Sequence, residues 1–158
     1  MRRLILLVSL GVFASLPIGA ESSFAAGFDN GSVTGSIACV GNGSAMVDMK
    51  GTTVPVPTSA LIRLSSDGNG NFTSGTFTGN TAGMVCSYTL ASGSTYSVKP
   101  DGSGTATINW KGGASNAKQC PAGSAAPSSF VLYSQTSGFV VATGKDATVW
   151  SVCERQRP

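Results

Sequence analysis

The sequence predicts an all-β protein, a single antiparallel up-and-down β-barrel of about eight strands stabilised by disulfides. Three observations carry that prediction. Apolar residues recur in short β-favouring runs with period-two alternation. Glycine, asparagine, aspartate and serine punctuate the chain between those runs. Four cysteines follow an apolar leader, the arrangement of an exported chain stapled by cystines.

The leader comes first. Arg2 and Arg3 precede an apolar run from Leu4 to Leu16, then Pro17 and small residues, which is the order of a secretory signal peptide. The run is about 13 residues, short of the roughly 20 that a transmembrane helix needs. Cleavage is expected after Ala20 or Ala25, making 1–25 the signal and 26–158 one barrel domain of about 130 residues. Of 10 basic and 7 acidic residues, losing Arg2, Arg3 and Glu21 leaves eight and six, a net charge of +2. So mild a balance predicts no nucleic-acid partner and no membrane insertion.

The strands follow in order: Ser32 to Val40, Ser44 to Met49, Ser59 to Ser66, Gly75 to Thr78, Met84 to Leu90, Tyr96 to Lys99, Thr105 to Trp110, Phe130 to Ser134, Gly138 to Thr143 and Thr148 to Cys153. In "SALIRLSS", Ile62 and Leu64 share one face and Leu61 and Arg63 the other; in "TATINW", Ala106, Ile108 and Trp110 face away from Thr105, Thr107 and Asn109. Such strands are half-buried. No mature segment has sustained apolar spacing of three and four, so long helices are not expected. Closure into a barrel removes the exposed edges that invite aggregation. The stretch from Lys111 to Ser129, rich in small residues, is expected as a long surface loop tethered by Cys120.

Cys39, Cys86, Cys120 and Cys153 predict two disulfides. Without histidine and without closely spaced cysteines, zinc is not expected. Three pairings are open to four cysteines; closure would make the first and last strands neighbours and favours Cys39 with Cys153 and Cys86 with Cys120.

"SSDGNGNF" at Ser65 is echoed by "KPDGSGTA" at Lys99, 34 residues later. Asp67, Asn69 and Asn71 have the alternate oxygen spacing of a calcium loop, but Phe72 stands where the motif needs glycine and Thr78 where it needs glutamate. The second copy, Asp101, Ser103 and Thr105, fits calcium less well. Aspartate-glycine supplies what a tight hairpin requires, so both copies are read as turns, with Gly68 or Asn69 at positive φ and no metal.

The stretches "SSDGNGNFTSGTFT", "ASGSTYSVKPDGSGTATI" and "SSFVLYSQTSGFVVATGKDATVWSVCERQ" resemble exported bacterial proteins of the allene-oxide-cyclase-like, or calycin-like, eight-stranded barrel family. Ser94, Tyr96, Val98, Asp101, Gly104 and Thr105 fall on that family's Gly-x-Tyr-x-Val-x-x-Asp-x-x-Gly-Thr pattern, with serine in place of the first glycine. The resemblance spans roughly Leu61 to Gln156. It implies the barrel fold and a periplasmic or secreted location in a bacterium; it implies no activity, because shared fold does not carry activity across.

The absence of histidine removes the commonest general base and nucleophile activator. Asp29, Asp48, Asp67, Asp101, Asp146 and Glu154 remain as carboxylates, most in turn-like contexts. Ser115 and Lys118 form a Ser-x-x-Lys match without the companion motifs that would make it catalytic. Tyr88, Tyr96, Trp110, Phe130, Phe139 and Trp150 are the residues expected to line a cavity, should the barrel hold one, or otherwise to fill the core. "ASGSTYSV" with "NWKGG" also resembles signals of periplasmic lysozyme inhibitors, which implies Ser92, Tyr96 and Lys111 as contacts to a hydrolase.

The reading that results is an exported, non-catalytic barrel module, binding or structural, without catalytic residues, cofactor or metal. Its partner is a small apolar ligand or another exported protein. The alternatives are a barrel enzyme with an apolar cavity and cyclase or isomerase chemistry, and a lysozyme inhibitor.

Overall fold

Among the described residues, nine antiparallel strands form one sheet that closes on itself. The computed structural model describes residues 27–113, 120–143 and 147–156; the leader, Ser115, Lys118 and Asp146 lie outside them. A short 3-10 helix at Asn30–Val33 precedes β1 (Gly35–Met49), β2 (Thr52–Ser66), β3 (Phe72–Thr81), β4 (Met84–Leu90), β5 (Thr95–Val98), β6 (Ser103–Gly112), β7 (Gly123–Leu132), β8 (Ser137–Thr143) and β9 (Ala147–Arg155). The sheet order is β4-β3-β2-β1-β9-β8-β7-β6-β5, and β4 also pairs with β6. The ring therefore has eight strands, as the sequence predicts.

The ninth strand is a consequence of one irregularity. Both β4 and β5 pair antiparallel with β6, Leu90 opposite Trp110 and Thr95 opposite Thr107, and Asn71 at the start of β3 bridges to Thr95. β4 and β5 are thus two halves of one stave, separated by the bulged residues Ala91–Ser94. Asn109 and Ser94 hold the bulge. The Asn109 N–H donates to Ser94 Oγ at 3.0 Å, Asn109 Nδ2 donates to the Gly93 carbonyl at 3.0 Å, and Ser94 Oγ donates to the Ala91 carbonyl at 2.9 Å. Counted this way, the chain is a meander of consecutive hairpins closed by β9 against β1.

Alternation sorts the side chains. On β6, Ala106, Ile108 and Trp110 are buried while Thr105, Thr107 and Lys111 are exposed. The core holds Leu64, Tyr88, Tyr96, Ile108, Trp110 and Phe130 among others. Its rings pack in tilted pairs, Phe72 against Tyr96 with centroids 4.9 Å apart and Phe77 against Tyr88 and Trp110 at 5.5 and 5.7 Å, spacings at which aromatic pairs attract. An eight-stranded barrel is just wide enough for side chains to fill.

The two disulfides join Cys39 to Cys153 and Cys86 to Cys120. Cys39 and Cys153 stand directly opposite each other across the closing pair β1–β9, so closure brings the chain's distant ends into bonding reach.

Three expectations need correction. The first two predicted strands are one, β1, and Ser32 and Val33 belong to the helix before it. β2 begins at Thr52, before Pro55 and Pro57. The expected loop from Lys111 to Ser129 is in part strand, since β7 begins at Gly123 and includes Pro127. One physical fact accounts for the prolines. Pairing of β2 with β3 begins only at Thr58, and that of β7 with β8 only at Ser128, so all three prolines sit where the strand lacks a second partner and the missing N–H costs no ladder bond.

Candidate functional site

Among the described residues, most of the carboxylates named as candidates hold local structure. Asp67 caps its own turn: Oδ1 accepts from the N–H groups of Asn69 at 2.7 Å and Asn71 at 3.1 Å, and Oδ2 from Asn71 Nδ2 at 2.8 Å. Those donors hold its carboxyl below the ordinary value of 3.8, the Asn71 side chain contributing most. Asp101 repeats the arrangement, with Ser103 donating both Oγ and N–H to Oδ1 at 2.7 and 2.9 Å and lowering its pKa likewise. Gly68 and Gly102 have φ of 78° and 83°, a region that glycine enters at little cost. The echo in the sequence is one turn chemistry used twice.

Asp29 and Asp48 are similarly committed. Asp29 accepts from the Ser32 N–H at the helix start, and Asp48 accepts from the Gly51 N–H in the β1–β2 turn. Glu154 stands exposed on the outer wall. Among the described residues no group of three or more acidic or cysteine side chains is placed to hold a metal.

A cavity of about 90 Å³ opens inside the barrel at the end carrying the 3-10 helix. Its walls are apolar, Ile37, Ile62, Leu64, Ile108, Phe130 and Val140 among them, and Cys39 and Cys153 share in it. Ser32, Gln135 and Arg155 stand at its rim, and Arg155 Nη2 donates to the Ser32 carbonyl at 2.8 Å. The volume is well below the roughly 300 Å³ at which ligand pockets begin and below the roughly 150 Å³ of an apolar hole that takes benzene.

Of the six aromatics named as possible lining, five have described side chains, and among those Phe130 alone touches this cavity. Tyr88, Tyr96 and Trp110 are buried in the packed part of the core, and burial pushes the Tyr88 hydroxyl pKa up. Trp150 lies on the outside, 45% exposed, because it shares a face with Val152 and not with Ser151 and Cys153. The Phe139 side chain is outside the described residues.

The residues named for hydrolase contact do not converge either. Tyr96 is 5% exposed and its hydroxyl donates to the Asn30 carbonyl at 3.1 Å, tying β5 to the helix. Ser92 belongs to the bulge, and Lys111 lies on the outer side of β6. In "ASGSTYSV" Ser92, Gly93 and Ser94 build the bulge, and Tyr96 packs beneath it.

A different feature, the asymmetry of the outer wall, leaves little trace in the order of residues. On β3 and β6 the outward residues are polar, with Thr76, Thr78, Thr105 and Thr107. On β2, β1, β9 and β7 they include Leu61, Val40, Val152 and Val131, exposed by 48, 63, 43 and 49%. Single exposed apolar residues are ordinary on any protein; a contiguous set of them is informative. Period-two alternation marks which residues face out but not which strands become neighbours, and the patch exists only after β9 pairs with β1.

No family model, curated protein or solved structure matches the chain.

Proposed function

We propose that this protein is an exported, non-catalytic β-barrel module that works through its outer surface. The observation that carries the reading is the filled interior: aromatic and aliphatic side chains occupy the barrel and leave about 90 Å³. With no histidine and four of its carboxylates bonded to their own turns or helix start, the described residues offer no acid–base pair facing the cavity. Two disulfides indicate an oxidising compartment, which supports the periplasmic or extracellular location that the leader implies. The closed eight-stave meander is also the architecture expected of allene-oxide-cyclase-like barrels, and it supports that kinship.

Native mass spectrometry of the oxidised protein, purified from an exporting host, tests the reading. The expected spectrum contains polypeptide mass alone. A retained small molecule that departs on gentle activation would overturn it in favour of a ligand carrier or a cavity enzyme.

A further inference from the structure

We propose that the outer face of β2, β1 and β9 is the interface of a symmetric homodimer, whose two-fold axis runs roughly along β1. The inference goes beyond the functional reading above and rests on the outer wall alone. The interstrand register supplies the argument. Leu61 pairs with Val40 and Val40 with Val152, which puts three exposed aliphatic side chains in one row across three strands. The next row on one side is Arg63, Ala38 and Glu154. The next on the other side is Ser59, Asn42 and Trp150.

Rotation by 180° about an axis along β1 exchanges the β2 side of one copy with the β9 side of the other. Leu61 then lies over the partner copy's β9 at the level of Val152, and Val40 meets its own equivalent. Trp150, the bulkiest of these outward side chains, falls over the small Ser59. Arg63 falls over Glu154, and the symmetry makes that pair twice. Both of these charged residues are exposed, neither side chain has a hydrogen bond or ion pair to another described residue, and only the small Ala38 stands between them in the row. Opposite charges placed on the two sides of a two-fold axis are self-complementary, as an isologous interface requires.

Further along the same face, beyond Asn42 and Ser44, Met46 pairs with Pro55, and Met46 is 46% exposed, which adds a second apolar pair towards the β1–β2 turn. The polar wall of β3 and β6 has no comparable row. A barrel that spans a membrane carries its apolar band around the whole circumference, whereas the outward residues of β3 and β6 here include Thr76, Thr78, Thr105 and Thr107; the exposed Val85 on β4 and Val131 on β7 lie beyond the three strands of the proposed interface.

Sedimentation equilibrium of the oxidised protein from 1 to 100 µM tests the proposal, with circular dichroism confirming that each variant is folded. The expected mass is twice that of one chain. Val40→Glu, at an exposed position, gives a monomer. Arg63→Glu and Glu154→Arg each raise the dimer Kd by about tenfold or more, since each sets like charges together twice, and the double variant Arg63→Glu/Glu154→Arg returns the Kd towards that of the wild type. A monomer at 100 µM overturns the proposal, as does a dimer that Val40→Glu leaves intact or a double variant no tighter than its parents. A monomeric wild type that floats with phosphatidylcholine–phosphatidylglycerol vesicles would assign the face to lipid instead.

Discussion

Removing the cystine at the closing seam is the most informative perturbation of this fold. Cys39 and Cys153 are 114 residues apart and Cys86 and Cys120 only 34. In the chain-entropy description a cross-link stabilises by shrinking the unfolded ensemble, by about 4.8 kcal/mol for a loop of the first length and about 3.8 kcal/mol for the second. Cys39 and Cys153 are 4% and 6% exposed and line the interior cavity, so Cys39→Ala/Cys153→Ala also enlarges a void, which adds loss of the same sign. Domains of this size are stable by about 5 to 15 kcal/mol, so a large share of the total is at stake. The assay is urea unfolding followed by tryptophan fluorescence, for which buried Trp110 is a reporter. At a slope of about 2 kcal/mol per molar urea, the midpoint of Cys39→Ala/Cys153→Ala falls by about 2.4 M. That of Cys86→Ala/Cys120→Ala falls by about 1.9 M. A seam variant that unfolds at the wild-type midpoint, or that loses less than the other pair, would refute the reasoning that closure of the long loop is what this bond secures.

The remaining predictions concern turns and the bulge. Ser94→Ala removes the acceptor of the Asn109 N–H at a position 3% exposed and costs about 1 to 3 kcal/mol in urea unfolding; an unchanged midpoint would mean that the bulge is held without it. Ala82, at φ 52° in the β3–β4 turn, is in the left-handed region that asparagine tolerates better than alanine, so Ala82→Asn raises stability by about 0.5 to 1 kcal/mol, and a loss would count against the turn geometry. For Asp67 the folded-state pKa lies below its ordinary 3.8. Its stabilising effect is therefore complete above the unfolded value and disappears as pH falls through the folded one. Asp67→Ala lowers the thermal midpoint at pH 7, and the gap to wild type narrows as pH drops below 3.8; a gap constant from pH 7 to pH 2 would show that the carboxylate charge plays no part.

The sequence by itself determined the class of fold, the strand faces and the turns. Ala106, Ile108 and Trp110 alternate with Thr105, Thr107 and Asn109 because side chains in a strand point to opposite sides in succession, and the structure buries that set. Asp67-Gly68 and Asp101-Gly102 act through contacts two to four residues apart, which are local and so legible. The prolines misled for the same reason. Pro55, Pro57 and Pro127 are poor strand residues locally, and they are harmless here because each lies where a neighbouring strand is missing, a fact of pairing and not of sequence.

Tertiary structure alone decided whether the barrel is hollow, what the aromatics do and where the apolar face lies. Whether Tyr96 lines a pocket or packs under a bulge depends on the bulge at Ala91–Ser94 and the helix at Asn30–Val33 that receives its hydroxyl, elements 66 residues apart in the case of that bond. Trp150 has the composition of a core residue, yet its place beside Val152 and opposite the face of Cys153 sends it outward. Leu61, Val40 and Val152 are separate surface residues in the sequence and become one row only when the last strand joins the first. Closure of the sheet sets side-chain neighbours across more than a hundred residues of chain, and no local propensity encodes that.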